Sequence, residues 1–406
     1  MGSNPDEPAP TPADVPRLPG AGRVSVPQSA AEVDSEPFLR ANEAAKSQYG
    51  RFNLAIIGGT GVGKSSLVNA VFGRERARVG KGLPVTSGIH YYHDDSLGIW
   101  DVEGFEIGST RSPGETLRGH LAAIAARPTH EQISVVWYCV LSTADRLTQP
   151  DVDMIRALED AGLPVILVLT KVAWTKNPLT GKYRAPRDVE LFQEWLERPT
   201  DGNGAPLHLP VHRVIPTSAH GQNGKGTGHG LGELVAETLA LSPDSEKDAF
   251  RIAQRLNLPW KREMARPVIA AAAASAAATA AIPLPIADAA ALAPIQMTMM
   301  GRIAAIYDLE FRSVLPASAL AQFGAQIAGQ ALARSFVKLI PGVGSAVNAT
   351  VAFSLTTATG EGWLRLCEQI HTGRVPIAQV PSAWEEFSPT LVSVVKSLVE
   401  QRVRKP

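Results

Sequence analysis

The stretch from Arg51 to Ser66, RFNLAIIGGTGVGKSS, constrains this chain more than any other. An apolar run, Phe52 to Ile57, breaks into Gly58-Gly59-Thr60-Gly61-Val62-Gly63-Lys64-Ser65, and a helix-compatible segment from Ser66 to Phe72 follows. This is G-x-x-x-x-G-K-[ST] in a strand-loop-helix setting. Glycines let the backbone fold back so that amide N–H groups converge on an anion, while the new helix points its positive dipole end at the same place. The pattern predicts a phosphate cradle built from Gly58, Thr60, Gly61, Val62, Gly63, Lys64, Ser65 and Ser66. Lys64 would reach the β- and γ-phosphates of a nucleotide as the catalytic cation, and Ser65 would ligate Mg²⁺. The competing reading is a glycine-rich turn that binds nothing, and the agreement of motif with context argues against it.

The segments around this loop alternate. Short β-rich runs at 52–57, 88–92, 97–101, 133–141, 164–170 and 211–216 are separated by helix-compatible stretches. That alternation predicts an α/β fold with a mainly parallel sheet covered on both faces. The runs Val135 to Val140 and Val165 to Leu169 are apolar throughout, as central strands buried on two sides should be. Near residue 243 strand signals stop and alanine dominates. An all-helical region is expected from there, its first helix capped by Asp244 or Ser245 and its helices broken by turns at Pro259, Pro283-Leu284-Pro285, Pro294, Pro316, Pro341 and Pro376. Two similar segments, 280–288 and 337–344, each read as helix, proline turn and small-residue helix, so two packed hairpins are the simplest arrangement. The expected domains are a disordered proline-rich tail at 1–35, an α/β domain at 36–242 and an alanine-rich helical domain at 243–406.

Composition adds exclusions. The chain has 39 Lys+Arg against 39 Asp+Glu, so net charge indicates no nucleic-acid partner. Its 2 cysteines, Cys139 and Cys367, lie in apolar segments, which fits buried thiols in a reducing, cytoplasmic setting rather than a secreted disulfide scaffold. The start of the chain lacks the pattern of an export signal, and Asp6 stands where myristoylation wants Ser or Thr.

Further motifs narrow the class of nucleotide enzyme. Asp101-Val102-Glu103-Gly104 ends a strand as D-x-x-G, where a carboxylate can hold Mg²⁺ through water and the Gly104 amide can meet a γ-phosphate. Thr86 lies between the first helix and the second strand, where a hydroxyl can complete a metal shell when a γ-phosphate is present. Leu169-Thr170-Lys171-Val172 and Pro216-Thr217-Ser218-Ala219 end two later strands. Ligands of parallel α/β sheets sit at the carboxyl ends of strands, so these pieces converge on one edge.

With these residues in place, the stretch from about 50 to 242 resembles the small bacterial GTPases of the translation-factor-related class, near the Era-like and immunity-related GTPases. The resemblance implies GTP or GDP as ligand with Mg²⁺, phosphate contacts from Gly58, Gly63, Lys64, Ser65 and Ser66, switch roles for Thr86 and Asp101, and base contacts from Lys171, Ser218 and Ala219. It gives Lys64, Thr86 and Gly104 the catalytic positions and Ser65, Thr86 and Asp101 the metal. The helical half resembles the YcjF-type domain of unknown function that bacteria fuse behind such GTPases, through Ile282-Pro283-Leu284-Pro285-Ile286-Ala287-Asp288 and Leu339-Ile340-Pro341-Gly342-Val343-Gly344.

Two departures stand out. The guanine-reading motif [NT]-K-x-D ends here in Ala173, so the base N1 and N2 donors lack their usual acceptor, at a cost of about 1–3 kcal/mol if they stay buried. After Gly104, where many GTPases place a water-orienting Gln, stands Phe105, which cannot orient water. Rapid unaided turnover is therefore not expected. In hydrophobic-substituted relatives a homodimer or an activating protein often supplies the missing groups, and Arg74, Arg76, Arg78 and Arg111 are unassigned candidates for an arginine finger.

Other readings are weaker. His208 and His212, and His90 and His93, lack the partners and geometry of a zinc site, and Gly221 to Gly232 reads as a mobile loop. No G-x-S-x-G hydrolase motif occurs. Pro267 to Ala287 and Leu339 to Gly360 lack charge for about the length of a bilayer, yet their alanines, glycines and threonines equally suit a soluble bundle. Association with or insertion into an inner membrane stays open beside a soluble helical domain. The leading expectation is a Mg²⁺-dependent GTP switch with slow hydrolysis that acts on its helical domain and on a partner or membrane surface. The alternative is a nucleotide-stabilised scaffold or membrane adaptor with negligible turnover. An ATPase or small-molecule kinase would leave Thr170-Lys171 and Ser218-Ala219 unexplained.

Overall fold

The computed structural model describes residues 36–73, 83–86, 88–102, 112–201, 203–221, 226–281, 288–311 and 345–387. The expected tail at 1–35, the arginines Arg74, Arg76, Arg78 and Arg111, Gly104 and Phe105, and the proline turns at 283–285, 316 and 341 lie outside the described residues.

The α/β half is built on a sheet of order β2-β3-β4-β1-β5-β6-β9. Its strands are β1 (Phe52–Ile57), β2 (Leu83–Thr86), β3 (Ile89–His93), β4 (Leu97–Val102), β5 (Val135–Leu141), β6 (Val165–Thr170) and β9 (Arg213–Pro216). From β4 to β9 the pairing is parallel, while β2 and β3 run antiparallel at one edge. The mainly parallel α/β sheet expected from the alternation is the one observed. Side chains alternate across it with period two. Phe52, Leu54 and Ile56 of β1 enter one core with α2 (Lys64–Phe72), α6 (Leu231–Leu241) and α7 (Lys247–Ala253). Ala55 and Ile57 enter the other, with α3 (Pro113–Ala125), α4 (Gln149–Asp160) and α5 (Arg187–Glu197). Two small hairpins were not foreseen: β7 (Thr175–Lys176) with β8 (Tyr183–Arg184), and β10 (Ser218–His220) with β11 (Thr227–His229). Strand β11 falls inside the stretch 221–232 expected to be a mobile loop, of which 222–225 lie outside the described residues, and α6 begins at Leu231.

The helical half contains α8 (Leu258–Ala281), α9 (Asp288–Ile306), α10 (Ser345–His371) and α11 (Val380–Phe387). Met297, Met300, Ile303, Trp363 and Trp384 form its core, with Trp363 edge-on to Trp384 at 5.6 Å. The N-terminal helix α1 (Glu36–Tyr49) belongs to this core by contact, although the chain leads from it straight into β1. Phe38 is buried edge-on to Phe311 at 5.2 Å, and Asn42 Nδ2 donates to the Gly301 carbonyl at 3.1 Å. Among the described residues one helix, α8, is long and apolar enough to cross a membrane.

Several local expectations are corrected. Neither Asp244 nor Ser245 caps a helix: residues Asp244–Glu246 form a 3-10 turn, and α7 follows with Glu246 at its N-cap and no side-chain cap bond. Pro259 and Pro294 do not break helices. Pro259 occupies the first turn of α8, where its missing N–H costs nothing, while Pro267 and Pro294 sit inside α8 and α9. Helix α7 packs into the α/β core, where Phe250 lies between Phe52 at 4.8 Å and Phe72 at 6.2 Å. Phe250→Ala should therefore destabilise the α/β half by about 3–5 kcal/mol. Denaturant unfolding followed by tryptophan fluorescence in a variant that keeps Trp137, which stacks on Phe72, and replaces the other six tryptophans by Phe would measure it, and a change well under 1 kcal/mol would show that α7 is not part of this core.

Candidate functional site

The loop after β1 is held against the end of β5 so closely that only glycine fits at Gly58. Its φ is +147°, and a Cβ there would collide with the Cys139 carbonyl oxygen. The chain then turns through Thr60 and Gly61, both open to solvent, and enters α2 behind Gly63, whose left-handed backbone forms the N-cap without a side-chain bond. Ser65 and Ser66 are exposed in the first turn of α2, where backbone N–H groups have no partner inside the helix.

Two lysines close over this loop. Lys64 Nζ donates to the Gly58 carbonyl at 2.7 Å and lies 3.3 Å from that of Gly59. Lys171, at the carboxyl end of β6 with φ +55°, donates to the Gly61 carbonyl at 2.6 Å. Buried Thr170 beside it donates to the Val62 carbonyl at 2.7 Å, so the ends of β1 and β6 are tied through the loop itself. Beneath it Cys139 is fully buried, and desolvation pushes its thiol up to about 12, the Lys64 ammonium opposing and Asp101 adding.

Beside the loop opens a cleft of about 230 Å³ lined by Gly63, Ser66, Leu67, Lys171, Thr217, Ser218, Ala219 and His220 among others. Lys171, Ser218 and Ala219, expected on one edge, thus line one cleft together with Ser66 and Leu67 of α2. Thr217 bonds the Leu169 carbonyl through both N and Oγ1, at 2.6 and 3.1 Å, which holds this wall at the end of β6. Ala173 is exposed after Val172. Behind it the His229 ring packs 4.1 Å from Tyr183 and 5.5 Å from Trp174, joining the two small hairpins. Leu67, Thr217 and His220 were missed by sequence reasoning. Their one signal was adjacency to the motifs, which does not tell a cleft wall from a core position.

On the other flank Asp101 lies near the carboxyl end of β4, level with Ile56 of β1 and paired with His90 across β3. Thr86 lies on β2, opposite Ile89. The hydroxyls of Ser65 and Thr86 and the carboxylate of Asp101 are hard oxygen donors of the kind Mg²⁺ takes, so the residues present fit the ion. The structure brings Asp101 and the loop to the same edge; Gly104 lies outside the described residues. Among the described residues no group of three or more His, Cys, Asp or Glu is placed to hold a metal, and His208 sits instead 3.2 Å from Glu159.

Known proteins match the chain in two blocks. Residues 53–171 match the family described as 50S ribosome-binding GTPase, and residues 245–404 match a domain of unknown function, DUF697. The chain is a P-loop GTPase domain fused to a separate helical domain. It is 30% identical over 198 residues to the GTPase Era of Xanthomonas axonopodis pv. citri (strain 306), spanning 48% of this chain and only 56% of that protein. It is 26% identical over 141 residues to the probable GTP-binding protein EngB of Mycoplasmopsis agalactiae, spanning 34% of this chain and 72% of that one. Among solved structures, a probable GTP-binding protein EngB covers 47% of this chain and 98% of its own at 19% identity and TM-score 0.30. An Aquifex aeolicus Era bound to GDP.AlF4- covers 56% of this chain and 68% of its own at 17% identity and TM-score 0.30.

In this GTPase domain the thiol beneath the loop should be inert. At about pH 8 an alkylating reagent should leave Cys139 and the equally buried Cys367 unmodified in the native chain and label both after denaturation. Mass spectrometry reads the result, and rapid native labelling of Cys139 would mean that the loop does not pack on β5 as described.

Proposed function

We propose that the protein is a GTP-binding switch with slow intrinsic hydrolysis, whose nucleotide state acts on the helical domain and through it on a partner or a membrane surface. The observation that carries the reading is the single sheet edge on which Lys64, Lys171, Ser218 and Ala219 surround one loop and one cleft. In this reading the Lys64 ammonium exchanges the Gly58 carbonyl for phosphate oxygens, and the exposed first turn of α2 supplies Ser65 and Ser66. The aliphatic stem of Lys171, which runs alongside Gly63, covers one side of the base, and Ser218 and Ala219 line the other end of the cleft. Ser65, Thr86 and Asp101 would hold Mg²⁺, which neutralises charge on the terminal phosphates when bound. Gly104 would offer its amide to the γ-phosphate. With Phe105 after it, turnover rises only where a second copy or another protein supplies a water-orienting or cationic group.

The functional units in this proposal divide at the connector 254–257. The α/β unit keeps α7, and the helical unit takes α1 together with α8 to α11. A second reading, a nucleotide-stabilised scaffold or membrane adaptor with negligible turnover, is favoured by Ala173, exposed where a carboxylate would read the base.

Competition among GTP, GDP, ATP and XTP, followed by hydrolysis rate against protein concentration, separates the two. A rate per molecule that climbs with concentration supports the switch, and a flat, near-zero rate with intact binding supports the scaffold. Lys64→Ala should lose triphosphate binding; unchanged uptake by that variant would sink both readings. Ala173→Asp should sharpen preference for GTP over ATP by about 1–3 kcal/mol, the worth of restoring an acceptor to buried base donors. No change in discrimination would place the base elsewhere.

A further inference from the structure

The two halves meet at a joint that begins on the helix carrying the phosphate loop. At its far end, α2 passes into Gly73 with φ +103°, and a Cβ there would clash with the Arg255 guanidinium. The Arg255 amide also donates to the Val71 carbonyl of α2 at 2.9 Å. Helix α7, just before, presses Phe250 onto Phe72 of the same helix. Thus α2 touches the phosphate site with its first turn and the connector after α7 with its last, and a helix this short moves as one body.

The connector itself is stiff. Fully buried Gln254 donates to the carbonyls of Arg251 at 3.1 Å and Asn257 at 3.0 Å, and its Oε1 accepts from the amides of Leu256 and Asn257 at 2.9 and 2.7 Å. Every polar atom of that side chain is used to fix one bend. Directly beyond it Lys261, wholly buried in the first turns of α8, donates to the carbonyl of Ile252 in α7 and to that of Ile306, the last residue of α9, at 3.0 Å. One ammonium therefore caps two helix C-termini, one from each half of the protein, where unpaired carbonyls and the negative dipole end both favour a cation. Next to it Tyr307 donates to Glu368 of α10 at 3.0 Å, and Glu368 is gripped by Arg262 through both oxygens. His371 Nδ1 meets the Tyr307 carbonyl at 2.9 Å.

We propose that this elbow, with Arg255 as the contact on α2 and Lys261 as the double helix cap, is the element through which nucleotide state changes the packing of α9 and α10. The inference rests on the switch reading above and deepens it by naming the residues that carry the change. Adjacency alone does not establish coupling; a ligand shifts an arrangement only by its differential interaction with two states. The elbow is suited to this because its members are held by directional bonds that are made or broken, whereas the alanine contacts farther along α8 yield gradually.

The experiment uses the full chain with Mg²⁺ and either GDP or a non-hydrolysable GTP analogue. Hydrogen–deuterium exchange of peptides from 288–306 and 345–371 should differ several-fold between the two nucleotides in the parent protein. In Arg255→Ala, which lies outside the nucleotide site, both nucleotides should still bind while that difference is lost. Lys261→Met should lose it as well, with a lower thermal midpoint. If Arg255→Ala does not fold, Arg255→Lys takes its place, since it keeps the charge and the amide but not the planar group over Gly73. A variant that binds nucleotide and keeps the full exchange difference overturns the proposal, as does a parent protein that binds both nucleotides and shows no difference. Absence of nucleotide binding in the parent would instead bring down the switch reading on which the inference stands.

Discussion

The glycine-rich loop depends on a contact between two backbones. For the loop after β1 to leave the sheet, Gly58 must pass against the carbonyl of Cys139 at the end of the neighbouring strand, and any side chain there would push the strands apart. That single approach sets the height of the loop above the sheet. It also places Lys64 so that its ammonium returns over the loop it belongs to, and it buries the Cys139 thiol deeply enough to hold it neutral through the physiological range. Helix α2 can then start only where Gly63 allows a left-handed turn, which directs its axis across the core toward Phe250.

The carbonyl side of the loop is held by cations from two directions, Lys64 from within and Lys171 from the end of β6. These bonds are cheap to exchange, because an ammonium that leaves a carbonyl for a phosphate oxygen gains charge complementarity and loses only a neutral acceptor. Thr170 is different. It is buried and its bond to Val62 belongs to the frame, so the spacing of β6 and the loop does not depend on the two lysines. Thr217 is tied to the frame as well, its amide and its buried hydroxyl both donating to the Leu169 carbonyl.

Much of this was legible in the sequence, for a physical reason. A phosphate loop needs glycines at fixed spacing between a buried strand and a helix, and uninterrupted apolar runs such as Val135 to Val140 announce central strands. Lys171 follows the run Val165 to Leu169, and Ser218 and Ala219 follow the shorter β-rich segment 211–216, which is why all three could be placed near strand ends. The membership of short amphipathic helices was not readable. The residues 247–253 carry Ala249, Phe250 and Ala253 on one face, and that pattern would suit either core equally; what assigns them is the pocket left between Phe52 and Phe72. The same holds for α1, where Phe38 could have packed on β1 beside it in sequence but finds Phe311 and Trp363 instead. Prolines misled because their effect depends on position in the helix: Pro259 stands in the first turn, where no bond is lost, and Pro294 sits inside α9, which continues through it.

Alanine explains why the helical half needs its polar joint. Where Ala276 and Ala280 of α8 meet Ala352 of α10, small side chains let backbones come close, but one alanine resembles the next, so sliding the helices by a turn replaces one contact with an equivalent one. Apolar packing of that kind supplies cohesion without a register. Arg262 paired with Glu368 through two bonds, Tyr307 donating to the same carboxylate and Lys261 shared by two helix ends have no equivalent one turn away, since any slip would strand buried charge. Stability and alignment are thus divided along α8: its alanine-rich end provides contact area, and its charged end, next to the GTPase domain, determines which contacts are made. Any influence arriving from α2 enters at the end where the register is decided, and there a small displacement changes the arrangement rather than merely loosening it.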